Sequence, residues 1–442
     1  LECVFMHQFF SLTPAAEALE LWLNDIRRID KYEDLPLQEA YGRILADDLR
    51  ATANLPGFRR STVDGYAVHA KDTFGAGEGL PAILNLAGTV RIGQPATLTL
   101  LPGQTAWVPT GGMIPGGADA VVMVEYTETL ADLVQISRPV APGDNVLLED
   151  EDAARGDLLL PAGQRISSGE IGLLAALGCT TVRVVRKPRA CILSTGDEII
   201  PIDANPEPGQ VRDINLYTIA ALIDKAGGRV TSARLLHDDA DLLATALQQA
   251  LSDCDLIILS GGSSVGDRDY TISAINRAGK PGVMVHGIAV KPGKPTVLGN
   301  INGIPVIGLP GHPVSAMIAW RLFGDALISA LLGTSPPRRA MIRARLAANL
   351  PSAPGREDFY RVRLHDRTEA AYENACKGKP NGPNDIHVGM LPNVHDALPI
   401  AVPVLGKSGL ITTMARIDGI VRIPLDSEGF QKGEIVEVEQ FD

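Results

Sequence analysis

Along the chain the apolar positions change period several times, and each change marks an element. Leu19, Trp22, Leu23 and Ile26 recur at helical spacing behind Thr13-Pro14, a good N-cap and first-turn pair, so a helix is predicted over residues 15–29. From about 52 to 146 the pattern shortens into β-rich runs, among them Ala106-Trp107-Val108 and residues 120–124, set between Gly and Pro turns. A helix is predicted near 169–177, and Lys187-Pro188 makes a natural boundary. Beyond it, strands at 190–193, 230–236 and 256–259 alternate with helices at 216–226 and 240–251, which predicts a parallel α/β sheet. The long apolar run at 314–332 is interrupted by Arg321 and Asp325, costly in lipid, so it reads as a buried globular helix and no membrane span is expected. After Thr334-Ser335-Pro336-Pro337 the pattern is β-like again, and only residues 376–396 look loop-like.

Composition changes this picture in three ways. At 442 residues the chain exceeds one ordinary core, and about 100 to 200 residues per domain gives roughly three or four domains. The net charge of -12 argues against a nucleic-acid binder, so anionic ligands need a local site. The five cysteines, at 3, 179, 191, 254 and 376, form no CxxC pair, and no basic segment followed by a clean apolar stretch opens the chain. A cytoplasmic protein is the expectation.

In an open parallel sheet, ligands collect beyond the carboxyl ends of the strands. Three loops there are acidic: Ser194-Thr195-Gly196-Asp197-Glu198, His237-Asp238-Asp239, and the stretch from Ser260 through Gly261, Gly262 and Ser264 to Asp269 and Tyr270. Glycines let backbone N–H groups approach an anion, while carboxylates repel it unless a divalent cation bridges them, which suggests Mg²⁺ with a phosphorylated ligand. Each loop taken alone can also be read as turn chemistry plus a helix cap, Asp238-Asp239 most of all. Lys291-Pro292-Gly293-Lys294-Pro295 holds two cations around a rigid turn, suited to an oxyanion or to a solvated basic surface. Gly308 to Ser315, with Pro310 and Pro313, opens a long helix whose N-terminus is an anion site.

Other motifs are less explicit. The segment from Ser61 through Asp64 to Val68 is too structured for a linker but names no reaction, and tight turns explain Pro109-Thr110-Gly111-Gly112 equally well. No histidine pair has helical zinc spacing and no G-x-S-x-G elbow occurs, which argues against a zinc or serine hydrolase.

Taken together, S-T-V-D-G-Y-A-V at 61–68, S-T-G-D-E at 194–198, S-G-G-S-S-V-G-D-R-D-Y at 260–270, K-P-G-K-P at 291–295 and G-L-P-G-H-P-V-S at 308–315 resemble the MoeA/gephyrin family of molybdopterin molybdenumtransferases. The resemblance covers nearly the whole chain. It implies a multidomain α/β plus β protein: a flanking domain of residues 11–51 and 147–186, an inserted β-rich domain at 52–146, a MogA-like parallel α/β domain at 187–334, and a C-terminal β-barrel-like domain at 335–442. It further implies insertion of molybdate into adenylylated molybdopterin with release of AMP, in a homodimer whose cleft is shared between subunits, with a contact to the preceding adenylyltransferase.

Carried over residue by residue, the resemblance assigns Glu198, Asp238 and Asp269 to Mg²⁺ and the pyrophosphate, with Asp64, Thr110 and Asp152 completing the site from the N-terminal half. Ser194, Gly261, Gly262, Ser264, Lys291, Lys294, Pro310 and Ser315 are the expected substrate contacts. Arg356, Ser408 and Lys294 are expected at molybdate. Two departures stand out. Many family members carry a lysine where this chain has Gly287, and residues 372–396 lack the family's strand-rich pattern. Two rival readings share the α/β domain or the whole fold: the preceding adenylyltransferase, and a scaffold without catalysis.

Overall fold

The computed structural model of the protein describes residues 12–261, 268–365 and 398–441, with the backbone alone for 268–270. Two compact units emerge, one of residues 33–184 and one of residues 1–32 with 185–442.

Helix α1 (Ala15–Leu23) is shorter than the spacing predicts. Asn24 and Asp25, poor helix formers, end it, and Thr13 is not its cap. Thr13 instead lies in a parallel bridge with Ile288, its N–H donating to the Gly287 carbonyl at 3.2 Å.

In the unit of residues 33–184, strands β1 (Gly65–Val68), β2 (Ala82–Thr89), β3 (Gln104–Val108), β4 (Ala120–Met123), β5 (Thr127–Leu130) and β6 (Leu133–Ile136) form one sheet in the order β4-β1-β3-β2-β6-β5. Tyr66, Val68, Ala120 and Val122 enter one buried cluster while Ala67 and Val121 enter another, so the central strands are covered on both faces. That is why their sequence reads as unbroken apolar runs instead of alternating. Short antiparallel pairings, Leu49–Arg50 with Leu158–Leu160 and Arg60–Ser61 with Val146–Leu147, tie the entering chain to the leaving chain. Helix α2 (Ser168–Ala176) begins with a capping box of Ser167 and Glu170.

The other unit contains two sheets. Strands β7 (Arg189–Thr195), β8 (Arg229–Leu236), β9 (Leu256–Ser260), β10 (Pro281–His286), β11 (Val290–Lys291), β12 (Val297–Ile301) and β13 (Ile304–Leu309) come first in the chain. All but β11 join in the order β8-β7-β9-β13-β12-β10, flanked by α3 (Asn215–Ala226), α4 (Ala240–Asp253), α5 (Arg268–Ala278) and α6 (Pro313–Leu332). Four strands pair in parallel, as the alternation predicts, and β10 points the same way, but β12 between it and β13 runs antiparallel to both. The cause is local: Asn302 and Gly303, at φ 53° and 94°, make a two-residue hairpin between β12 and β13.

Strands β14 (Met341–Leu346), β15 (Glu357–His365), β16 (Ile400–Pro403), β17 (Gly419–Ile423) and β18 (Ile435–Gln440) close on themselves in the cyclic order β15-β16-β14-β18-β17. Ala344, Leu346, Val362, Ala401, Val421, Ile423, Val436 and Val438 fill this five-stranded barrel. Its outer residues Ile420 and Phe441 pack with Val314 and Ile318 of α6, a helix with 14 buried residues. The Arg321 that interrupts the apolar run bonds Glu439 of the barrel, so the helix belongs to a core. Strand β11 adds in parallel to β15, with Lys291 opposite Asp358.

Candidate active site

The loops after β7, β8 and β9 meet the start of α3 and α6 around a cavity of about 450 Å³. Its wall includes Gly196, Glu198, Asp213, Asn215, Asp238, Gly261 and His312. The close meeting of β7 and β9 demands glycine: a Cβ on Gly261, at φ +117°, would lie 2.0 Å from the Thr195 carbonyl oxygen. The two readings of Asp238-Asp239 are divided between the two residues. Asp239 caps α4, accepting from the N–H groups of Asp241 and Leu242, while Asp238 borders the cavity and its N–H donates to Asp197 Oδ1 at 3.2 Å.

Sequence reasoning missed Asp213 and Asn215. Asn215 Nδ2 donates to Ser260 Oγ at 2.8 Å and to the Gly311 carbonyl at 2.9 Å, which joins the β9 loop to the α6 loop. Asp213 Oδ1 accepts the Leu216 N–H, starting α3. Asp213 Oδ2, Asn215 Oδ1 and Ser194 Oγ are buried with no hydrogen-bond partner among the described residues. A buried oxygen acceptor left unpaired is costly, so such a group marks a place for a cation or a donor from a ligand. The polar Asp-x-Asn start of α3 was the available signal, but only burial makes it informative.

The two that border the cavity, Asp213 Oδ2 and Asn215 Oδ1, suit a hard divalent cation, which prefers carboxylate and carbonyl ligands. Among the described residues no three His, Cys, Asp or Glu side chains form a closed ligand set. Magnesium needs none, since it commonly keeps waters and uses one or two carboxylates with substrate phosphates. Asp269 lies on α5 with its side chain outside the described residues, as do Gly262 and Ser264 entirely.

A second cavity of about 700 Å³ adjoins the first, for His312 and Gly409 border both. Its charge is opposite: Lys291, Arg361 and Lys407 line it with Ser408, and among the described residues Asp358 is its one acidic residue. The Val314 N–H at the start of α6 donates to the Ser408 carbonyl at 3.1 Å, which fastens this barrel loop over the helix N-terminus. Arg361 is 9% exposed and its guanidinium bonds Thr413 Oγ1 and the Gly406 carbonyl, so it holds the loop's shape. Burial pushes the Tyr360 phenol above its ordinary value, and the Asp358 carboxylate adds to the shift.

The expected contacts fall unevenly. Lys291 and Ser408 border the basic cavity, whereas Lys294 and Arg356 do not; Arg356 reaches it through Asp358, Nε to Oδ1 at 3.0 Å. Ser194, Pro310 and Ser315 are buried beneath the loops and line neither cavity. Gly287 has φ +91°, and a Cβ there would approach Leu12 Cδ2 to 3.2 Å. The Leu12-Thr13 segment thus runs beside the backbone where many family members have a lysine.

In the other unit, the Asp64 and Thr110 motifs come together. The Ser61 N–H donates to the Gly112 carbonyl and the Gly111 N–H to the Ser61 carbonyl, which brings Asp64 Oδ1 within 2.7 Å of the Thr110 N–H and 3.0 Å of its hydroxyl. The Thr110 N–H, and then its hydroxyl, hold the exposed Asp64 carboxyl below its ordinary value. Asp152 is also exposed, its N–H donating to the Leu55 carbonyl at 2.9 Å.

Comparison with known proteins matches three family regions in order: the MoeA N-terminal region, domains I and II, over residues 13–178, a "probable molybdopterin binding domain" over 191–330, and the MoeA C-terminal region, domain IV, over 380–441. The last match begins within the stretch whose pattern departs from the family, all of which lies outside the described residues. Molybdopterin molybdenumtransferase 2 of Mycobacterium tuberculosis is 36% identical over 334 residues, 75% of this chain and 82% of that protein. The molybdopterin molybdenumtransferase of Bacillus subtilis is 30% identical over 411 residues, 92% and 89% of the two chains. A crystal structure of a molybdopterin biosynthesis MoeA protein from Pyrococcus horikoshii superposes with a TM-score of 0.76 at 34% identity, covering 98% of this chain and 99% of that one. A second structure under the same description, from strain OT3, gives a TM-score of 0.79 at 29% identity, covering 97% and 100%.

Proposed function

This chain belongs to the MoeA family, and from that premise we propose that it is a molybdopterin molybdenumtransferase, inserting molybdate into adenylylated molybdopterin with release of AMP. The observation that carries the reading is the pairing of an acidic, glycine-walled cavity with a basic one across His312 and Gly409. A pyrophosphate and a tetrahedral oxyanion, both anionic, need different surroundings: the first a divalent cation between carboxylates, the second direct cationic donors.

Chemically, water cleaves the pyrophosphate, AMP departs and one phosphate stays on the pterin. Two dithiol sulfurs replace one oxo ligand of molybdate, which leaves as water with the two thiol protons. Glu198 and Asp238, with Asp269 and the neighbouring Asp213, would hold Mg²⁺, which supplies neutralising charge to the phosphate oxygens. Gly261 leaves its loop backbone open to the phosphates, and Gly262 and Ser264 continue that loop. Lys291 and Ser408 would orient the oxyanion in the basic cavity, with Arg356 acting through Asp358 and Lys294 adding charge from the same turn as Lys291. Asp64, Thr110 and Asp152 complete the cleft from a second copy of the chain in a cytoplasmic homodimer, to which the adenylyltransferase delivers its product. The Asp64 bonds to Thr110 support this, since they fix both side chains at an exposed edge.

The test supplies purified protein with adenylylated molybdopterin, Mg²⁺ and either molybdate or tungstate, and follows AMP release and cofactor formation. Oxyanion-dependent AMP release with metal-loaded pterin is the expected result. ATP-dependent adenylylation of metal-free molybdopterin, without such release, would move the assignment to the preceding step.

A further inference from the structure

The basic cavity contains a group that oxyanion binding leaves unexplained. Asp358 borders it and is 1% exposed; its Oδ1 accepts from Arg356 Nε, while Oδ2 has no hydrogen-bond partner among the described residues. An unpaired buried carboxylate oxygen is expensive to keep unless a ligand brings it a donor. Molybdate cannot: it offers only acceptor oxygens and carries the same sign of charge. A metal ion fits poorly too, because Lys291, Arg361 and Lys407 leave the cavity net positive.

The rest of the wall narrows the choice. Pro292, Leu405 and Leu410 give it apolar surface, and its volume of about 700 Å³ leaves room beyond a single oxyanion. A planar aminopyrimidinone matches this mixture. One edge presents amino and ring N–H donors for a carboxylate, the adjacent carbonyl oxygen suits a cation, and the ring faces suit apolar walls. We propose that Asp358 Oδ2 accepts the N–H donors of the pterin's 2-amino-4-oxo edge, so that the basic cavity seats the pterin ring beside the oxyanion. This inference rests on the reading of the chain as a molybdopterin-processing enzyme, and it adds the residue that distinguishes a pterin from other flat heterocycles.

The test titrates the full chain with pterin and with lumazine, which has an oxo group in place of the 2-amino group, and reads ligand fluorescence. Wild-type protein should bind pterin roughly 10- to 100-fold more tightly than lumazine, the span of a charged hydrogen bond. Asp358→Asn should narrow that ratio to about threefold or less, because an amide can donate to the 2-oxo group. Equal wild-type affinities, no binding of either, or an unchanged ratio in a folded Asp358→Asn protein overturns the proposal. The wild-type ratio needs no variant, and thermal melting checks that the variant is folded. The two readings also fail separately. Oxyanion-dependent AMP release without a pterin preference sinks only the role of Asp358, whereas an Asp358-dependent preference without AMP release sinks only the transferase assignment.

Discussion

The two adjoining cavities differ in how they are made. The acidic one is built from loops that directly follow strands, so Gly196, Glu198, Asp238 and Gly261 each occupy a short motif beside the element that positions it. The basic one is assembled where the short strand β11 adds to β15 of the barrel, and its parts come from residues 291–292, 312, 358–361 and 404–410. Both cavities thus draw on distant parts of the chain, but the acidic one takes its charges from motifs that each sit beside one strand, whereas the basic one takes them from separate elements. The difference teaches that charge in a motif is easy to read, while an unpaired charge is a property of packing.

Breaking the acidic side should have the largest effect. Glu198→Gln, or removal of Mg²⁺ by a chelator, should slow AMP release by about 100-fold or more while leaving the fold intact by circular dichroism, the scale of losing electrostatic stabilisation of a developing charge. Wild-type rates in both cases would end the distinction between the cavities. On the basic side, Lys291→Ala should act mainly on binding, raising the molybdate concentration for half-maximal rate by roughly tenfold with a smaller change in kcat. A pure kcat defect would move Lys291 into the phosphate site.

Gly287→Lys sharpens the contrast further. Restoring the cation many relatives carry should fail to raise activity and should cost about 1–2 kcal/mol of stability in denaturant titration, because φ +91° disfavours a side chain and Leu12 is in the way. Smallest of all is the pH response of Asp64. Its folded pKa is depressed, so its contribution is complete above the ordinary value of 3.8 and lost as pH falls through the lower folded one. NMR titration of the Asp64 carboxyl should show that depression, and Thr110→Val should reduce it.

Much of the fold was legible because its signals are local. Four of the six strands in the α/β sheet pair in parallel as the strand–helix alternation predicts, and α6 spans Pro313–Leu332 with Pro313 in its first turn. The misses were local competitions decided elsewhere. Helix α1 stops at Leu23 although Ile26 continues the apolar spacing, and Thr13 gives its backbone to Ile288 in place of a helix cap. The antiparallel turn at Asn302-Gly303 was also local, but it went unread inside a run of strands.

By itself the sequence determined the order of elements, the family, and the acidic and Lys-Pro-Gly-Lys loops, since turn residues and charges act on their immediate neighbours. Only the tertiary structure decided that Asp239 caps a helix while Asp238 borders a cavity, that Gly287 lies against Leu12, and that Asp358 is buried with one oxygen unpaired among the described residues. The physical reason is that desolvation and partner choice depend on which distant strands meet. Asp358 acquires its meaning from Lys291, Arg356 and the loop at 404–410 closing around it.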